Sequence, residues 1–203
     1  MSLLKKAALL FISVFFLATS LYAKIQTNIA RPDSQVIKQM LIQRDNEIKT
    51  LLGPEGSSYT SQQKKKLKNI INGVVDFGAM AKVALQNTYG TLSTQKREEF
   101  VDVFSKIIKD QSLNKLDIYR AKVQYRKIAV NKDTARVETI ATLKNVRTPV
   151  AYEMARENGK WFITDFSIDN VSTAQSYKRS FQSFLAKKGY DALFAALKKR
   201  AAR

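Results

Sequence analysis

Apolar residues in the first half of the chain recur with a helical period, and from about Tyr119 onward they switch to a period of two. Val36, Ile37, Met40, Leu41, Ile48 and Leu51 form one stripe of a helix that Asp33 or Ser34 can cap and that runs to about Leu52. Its middle, Gln43 to Glu47, is polar all round, so only its ends have a face to bury. Gly53 to Ser58 is a loop by composition. Thr60 and Gln63 then have capping-box spacing ahead of a helix carrying Leu67, Ile70, Ile71 and Val74. Asp76 caps a third helix, expected to reach about Asn87, with Phe77, Met80, Ala81, Ala84 and Leu85 facing inward. Leu92-Ser93 opens what reads as the longest helix, to about Leu116, lined by Phe100, Val101, Phe104, Ile107 and Ile108.

The period-two half predicts strands near Lys122–Val130, Ala135–Lys144, Thr148–Arg156 and Lys160–Ser167, with hairpin chemistry at Asn131-Lys132-Asp133 and Glu157-Asn158-Gly159. Val137, Thr139, Ala141 and Leu143 alternate onto one face, as do Val150, Tyr152 and Met154. The same alternation sets Asp165 on the side of Trp161 and Ile163. Asp169-Asn170 breaks the last strand, and Asn tolerates the left-handed backbone of such a corner. Ser172 and Gln175 repeat the capping-box spacing at the start of a helix bearing Tyr177, Phe181, Phe184 and Leu185. Gly189 ends it, and a short last helix follows with Leu193, Phe194 and Leu197. The fold class is therefore α+β: a curved antiparallel sheet of about four strands with several helices packed over one face. Inner faces rich in Val, Ile, Phe, Tyr and Met leave room for an apolar cavity between the layers.

The first 23 residues change this picture because they read as targeting, not fold. Lys5 and Lys6 precede an apolar run from Ala7 to Leu17, short for a membrane span. Ala18-Thr19-Ser20 and Leu21-Tyr22-Ala23 compete as cleavage sites; we favour a cut after Ala23, with an uncleaved anchor as the rival reading. The expectation is a signal peptide over 1–23, one domain over 24–203, and an exported protein.

Cysteine and histidine are both absent. Nucleophilic triads built on His or Cys cannot exist here, and the commonest metal ligand is missing. The best acid–base set left is Asp165 with Tyr152 or Tyr177, a weak basis for catalysis, so no enzyme activity, cofactor or metal is expected. The net charge of +18 loses only Lys5 and Lys6 with the signal. Such a balance favours anionic lipid headgroups or acidic proteins as partners; export argues against nucleic acid.

Five motifs in fixed order carry a resemblance. They are Val75-Asp76-Phe77 with Met80-Ala81, Leu92-Ser93 with Gln95-Lys96-Arg97 and Phe100, Trp161-x-Ile163-x-Asp165, Ile168-x-Asn170-Val171-Ser172 with Tyr177-Lys178 and Phe181, and Gly189-Tyr190-Asp191-Ala192-Leu193. Over roughly residues 70 to 198 the chain resembles the MlaC (toluene-tolerance) family of periplasmic phospholipid-binding proteins. Asn170 stands where that family usually has Gly, and Lys178 where many members have Arg, which loses a forked contact. The resemblance implies a monomeric periplasmic carrier that moves phospholipid between an outer-membrane lipoprotein–porin complex and an inner-membrane ABC transporter with a lipid-binding periplasmic domain. Candidate cavity-lining residues are then Phe77, Met80, Phe100, Phe104, Ile107, Val137, Val150, Tyr152, Trp161, Ile163 and Val171. The alternative is a basic exported adaptor domain with a filled core and no ligand.

Overall fold

The computed structural model describes residues 32–114 and 116–202. The expected signal segment and most of the lead-in to the first helix lie outside the described residues. Helices α1 (Asp33–Leu52), α2 (Ser61–Asn72), α3 (Phe77–Leu85), α4 (Asn87–Thr91) and α5 (Thr94–Gln111) come first, followed by a 3-10 turn over Leu116–Arg120. Strands β1 (Lys122–Asn131), β2 (Thr134–Leu143), β3 (Val146–Glu157), β4 (Lys160–Ile168) and β5 (Val171–Ser172) then lead into α6 (Thr173–Ala201). No helix among the described residues is long and apolar enough to cross a membrane.

The helix starts follow from their caps. Thr60 Oγ1 accepts the Gln63 N–H at 3.2 Å while Gln63 Oε1 accepts the Thr60 N–H at 2.9 Å, closing both halves of the capping box. Asp76 accepts from Ala79, Ser93 from Lys96, and Ser172 from Gln175. The ends were harder to read. Gln86 takes φ 50°, ψ −127°, which stops α3 at Leu85, close to its expected end, and starts the short α4, which the sequence did not predict. The fifth stops at Gln111 rather than near Leu116, and at 18 residues it is shorter than α1 with 20. In α6, Gly189 at φ 74°, ψ 178° interrupts an otherwise continuous 29-residue run, so the two expected helices are arms of one element.

Each strand pairs antiparallel with its neighbour in the chain, giving the order β1-β2-β3-β4-β5. The fifth strand is the short addition that the sequence did not predict. Both central residues of the turns Lys144-Asn145, Asn158-Gly159 and Asp169-Asn170 have positive φ, the hairpin geometry whose twist matches that of the strands. Residues 74–76 run along the outer edge of β4, where Ile163 donates to Val74 at 2.7 Å and accepts from Asp76 at 2.8 Å. That edge is thereby closed before β5 joins it further on.

Side chains on the covered face of the sheet line up in rows across the strands. Ala135, Met154 and Ile163 share one row; Ile128, Val137, Tyr152 and Phe166 the next; Tyr125, Thr139, Val150 and Ile168 a third. Two bulges make this alignment. Arg126 is the extra residue in β1 and Thr164 in β4, so the alternation slips by one past each. Asp165 consequently pairs with Glu153, on the side of the Arg136–Glu153 ion pair, and Phe166 joins Trp161 and Ile163 inside. This corrects the inward placement of Asp165.

Three apolar clusters result. Helices α3, α5 and α6 enclose one around Met80, Leu85, Phe100, Phe104 and Phe181. The start of α1 presses Ile37 and Leu41 onto Val137, Met154, Trp161 and Ile163. The end of α1 meets α2 through Ile48, Leu52 and Leu67, with Tyr119 of the 3-10 turn packed alongside.

Candidate functional site

The sheet's inner face is sealed at one end only. Ala135, Val137, Met154, Trp161 and Ile163 are buried under the start of α1. Tyr152, in the row of Val137, and Val123, Tyr125, Ala141, Thr148 and Val150 in the rows beyond are only half-buried, and Ile168 is exposed. Thr139, in the row of Val150, is itself buried, and its hydroxyl is satisfied by donating to the Val150 carbonyl at 2.9 Å. An apolar strip of sheet is therefore covered without being closed off.

Three tyrosines mark the depth of this strip. Desolvation by burial pushes the Tyr152 phenol up to about 12, helped by the nearby charge of Asp45 on α1. Burial likewise pushes Tyr119 up to about 12, with Tyr152 adding to the shift. Tyr125 is raised further still by burial, with Tyr152 and Asp45 contributing. Tyr152 is thus close enough to act on both Tyr119 and Tyr125, and Asp45 on Tyr125 and Tyr152. Tyr152 is the informative member: surrounded deeply enough to be desolvated, it still keeps accessible surface. At neutral pH these phenols hold their protons.

The catalytic alternative loses its base to a structural task. Asp165 Oδ1 accepts the N–H groups of Phe166 at 2.8 Å and Ala174 at 2.9 Å, and Ser172 donates its hydroxyl to Oδ2. The carboxylate is committed to the corner and the start of α6. Tyr177 lies elsewhere, donating to Gln111 at 3.1 Å.

The other candidates separate into groups. Phe77, Met80, Phe100, Phe104 and Ile107 all lie in the helical cluster. There Phe100 and Phe104 are fully buried, 5.7 Å apart and in contact with Phe181, which also meets Tyr177. This is close packing of aromatic rings, as in a filled core. Val137, Trp161 and Ile163 belong to the sealed end of the sheet. Val150 and Tyr152 stand on the unsealed strip. Val171, opposite Ile168 across the β4–β5 pair, is 54 % exposed at the head of α6, so it stands uncovered at the surface.

Reading the residues in order overlooked Tyr119, Tyr125 and Ile168. Tyr125 precedes the bulge that hides the alternation of β1, and Tyr119 sits in a turn where no periodicity marks it. Among the described residues a surface groove of about 640 Å³ runs between α1 and α2, lined by Ile42, Leu51 and Ile70 together with Gln39, Gln43 and Glu47. Its lining comes from α1 and α2 alone, so it does not open onto the inner face of the sheet. A smaller one, about 370 Å³, includes Ile168 and Val171 and adjoins the strip.

The described residues thus form an α+β protein, a helix-backed antiparallel meander with a half-buried apolar strip on its inner face. A family model described as MlaC protein matches residues 44–199, most of the chain, and the chain belongs to that family. Among solved structures, it is similar to a phospholipid-binding protein from Ralstonia solanacearum, determined in complex with a phospholipid. The TM-score is 0.69 at 17 % identity, and the match covers 83 % of this chain and 96 % of that one. This likeness establishes the fold. No curated protein matches the sequence.

Proposed function

We propose that this chain is a soluble phospholipid carrier of the periplasm, exported on a signal peptide over 1–23 and acting as a monomer without enzymatic activity. It would receive and release lipid between an outer-membrane lipoprotein–porin complex and an inner-membrane ABC transporter with a lipid-binding periplasmic domain. The half-buried apolar strip around Val150 and Tyr152 carries the reading, as the part of the sheet's inner face with room for acyl chains. Membership of the MlaC family and the phospholipid-bound neighbour of the same fold support it.

Energetics explain why a carrier needs no catalytic group. Two acyl chains hold about 30 methylenes, worth roughly 24 kcal/mol of burial relative to water at about 0.8 kcal/mol each. That exceeds the ceiling of about 18–21 kcal/mol for non-covalent affinity. Lipid therefore exchanges against a bilayer or another protein's cavity, where the apolar terms nearly cancel, and partner contact decides uptake and release.

Native mass spectrometry of protein purified from a membrane-containing host tests this reading. Adducts of phospholipid mass are expected, and they should disappear on delipidation and return when phospholipid is added. Protein that is ligand-free as purified and takes up none would favour the adaptor.

A further inference from the structure

The smaller groove lies where the β4–β5 turn meets the two arms of α6. Ile168 and Val171 form its apolar floor together with Phe181, while Ser180 and Arg200 supply its polar side. The two aliphatic side chains are 45 and 54 % exposed and adjacent across one strand pair. Ile168 also ends the row that includes Val150, so the groove continues the unsealed strip outward.

Its charge is more specific than its shape. The start of α6 has an anion already, because Asp165 takes the Ala174 N–H and Ser172 takes that of Gln175. Arg200 comes from the far arm of the same helix, folded back past Gly189, and joins no ion pair among the described residues. Its charge acts on Tyr177, opposing the rise that burial imposes on that phenol. A guanidinium forks onto two phosphate oxygens with charge-assisted hydrogen bonds, and an aliphatic floor beside it suits the carbons next to the phosphate.

Building on the carrier reading, we propose that this groove is the headgroup seat: Arg200 holds the phosphodiester of a phospholipid whose chains enter the strip past Ile168 and Val171. The shared chemistry is a phosphate anion, which a lipid or free phosphate could supply.

Delipidated wild type, Arg200→Gln and Arg200→Lys are each loaded from an equimolar mixture of phosphatidylglycerol and diacylglycerol with identical chains, and native mass spectrometry counts both adducts. Wild type should favour the phospholipid by about tenfold, the size of one charge-assisted contact. Arg200→Gln should bring the ratio to about one with total lipid unchanged, and Arg200→Lys should fall between. An unchanged ratio in Arg200→Gln, or no preference in wild type, overturns the headgroup seat while leaving the carrier intact. Wild type that loads neither lipid overturns both. A thermal shift of wild type, but not Arg200→Gln, with inorganic phosphate alone and no lipid preference would assign the site to free phosphate and overturn the lipid seat.

Discussion

The carboxylate of Asp165 accepts the backbone N–H of Ala174 at 2.9 Å, nine residues further along the chain. The last long strand thus caps the helix that folds back over the sheet, and strand, corner and helix form one joint. Removing the carboxylate leaves up to three donors without their acceptor. Asp165→Ala should lose about 1–3 kcal/mol of stability in urea denaturation. A loss below about 0.3 kcal/mol would show that water replaces the carboxylate at no cost.

A pair of substitutions separates the strip from the filled helical cluster. Phe104→Ala should destabilise the delipidated protein by about 3–5 kcal/mol, because its ring is fully buried among other aromatic side chains. Val150→Trp should abolish phospholipid adducts in native mass spectra while the delipidated protein loses less than the roughly 1–3 kcal/mol that overpacking a closed core costs. Delipidated samples are required, since bound ligand raises apparent stability. A Val150→Trp protein that melts far lower yet still carries lipid would place the chains elsewhere.

Much of the fold was legible because the signals were local. Thr60 with Gln63, Asp76, and Asn158-Gly159 each decide backbone geometry within four residues, and each does so as read. The strip was less legible because the bulges at Arg126 and Thr164 are set by pairing between strands. An alternation rule applied to β4 alone sends Asp165 inward. The Lys144-Asn145 turn carries no glycine, so its left-handed residues leave little trace in composition. Phe100 and Phe104 have the same helical spacing whether they wall a cavity or fill a core. Only the arrival of Phe181 and Phe194 from α6, some eighty residues later, decides the matter.

Alkaline titration reads the depth of the tyrosine group. Unfolded tyrosine ionises near pH 10, whereas folded Tyr152 and Tyr119 do so only at about 12. The unfolded chain therefore releases protons first, and the stability these phenols contribute is complete below pH 10 and is lost as pH rises toward 12. Tyr152→Phe should flatten this loss measured by denaturation at pH 9 and pH 11. An unchanged pH dependence would mean that the phenol is as well solvated folded as unfolded.

Gly189 holds a backbone conformation, φ 74° and ψ 178°, that a side chain makes costly even though its surroundings have space for a Cβ. Gly189→Ala should cost about 1–3 kcal/mol in urea denaturation, because this region is open essentially to glycine alone. An alanine variant as stable as wild type would show that the arms of α6 can straighten or re-bend freely.

The sequential order of the strands has a consequence for how the molecule is made. Every strand finds its partner across a turn of a few residues, so the sheet closes by short loops with little entropic cost. The helical cluster is different: α3 must wait for α6, which lies roughly ninety residues later in the chain. We expect pulse-labelled hydrogen exchange to show sheet amides protected before those of α3, and the reverse order would refute this. The apolar interior is then the last region to be shut. The segment that shuts it, α6, is also the one that carries the groove at its mouth.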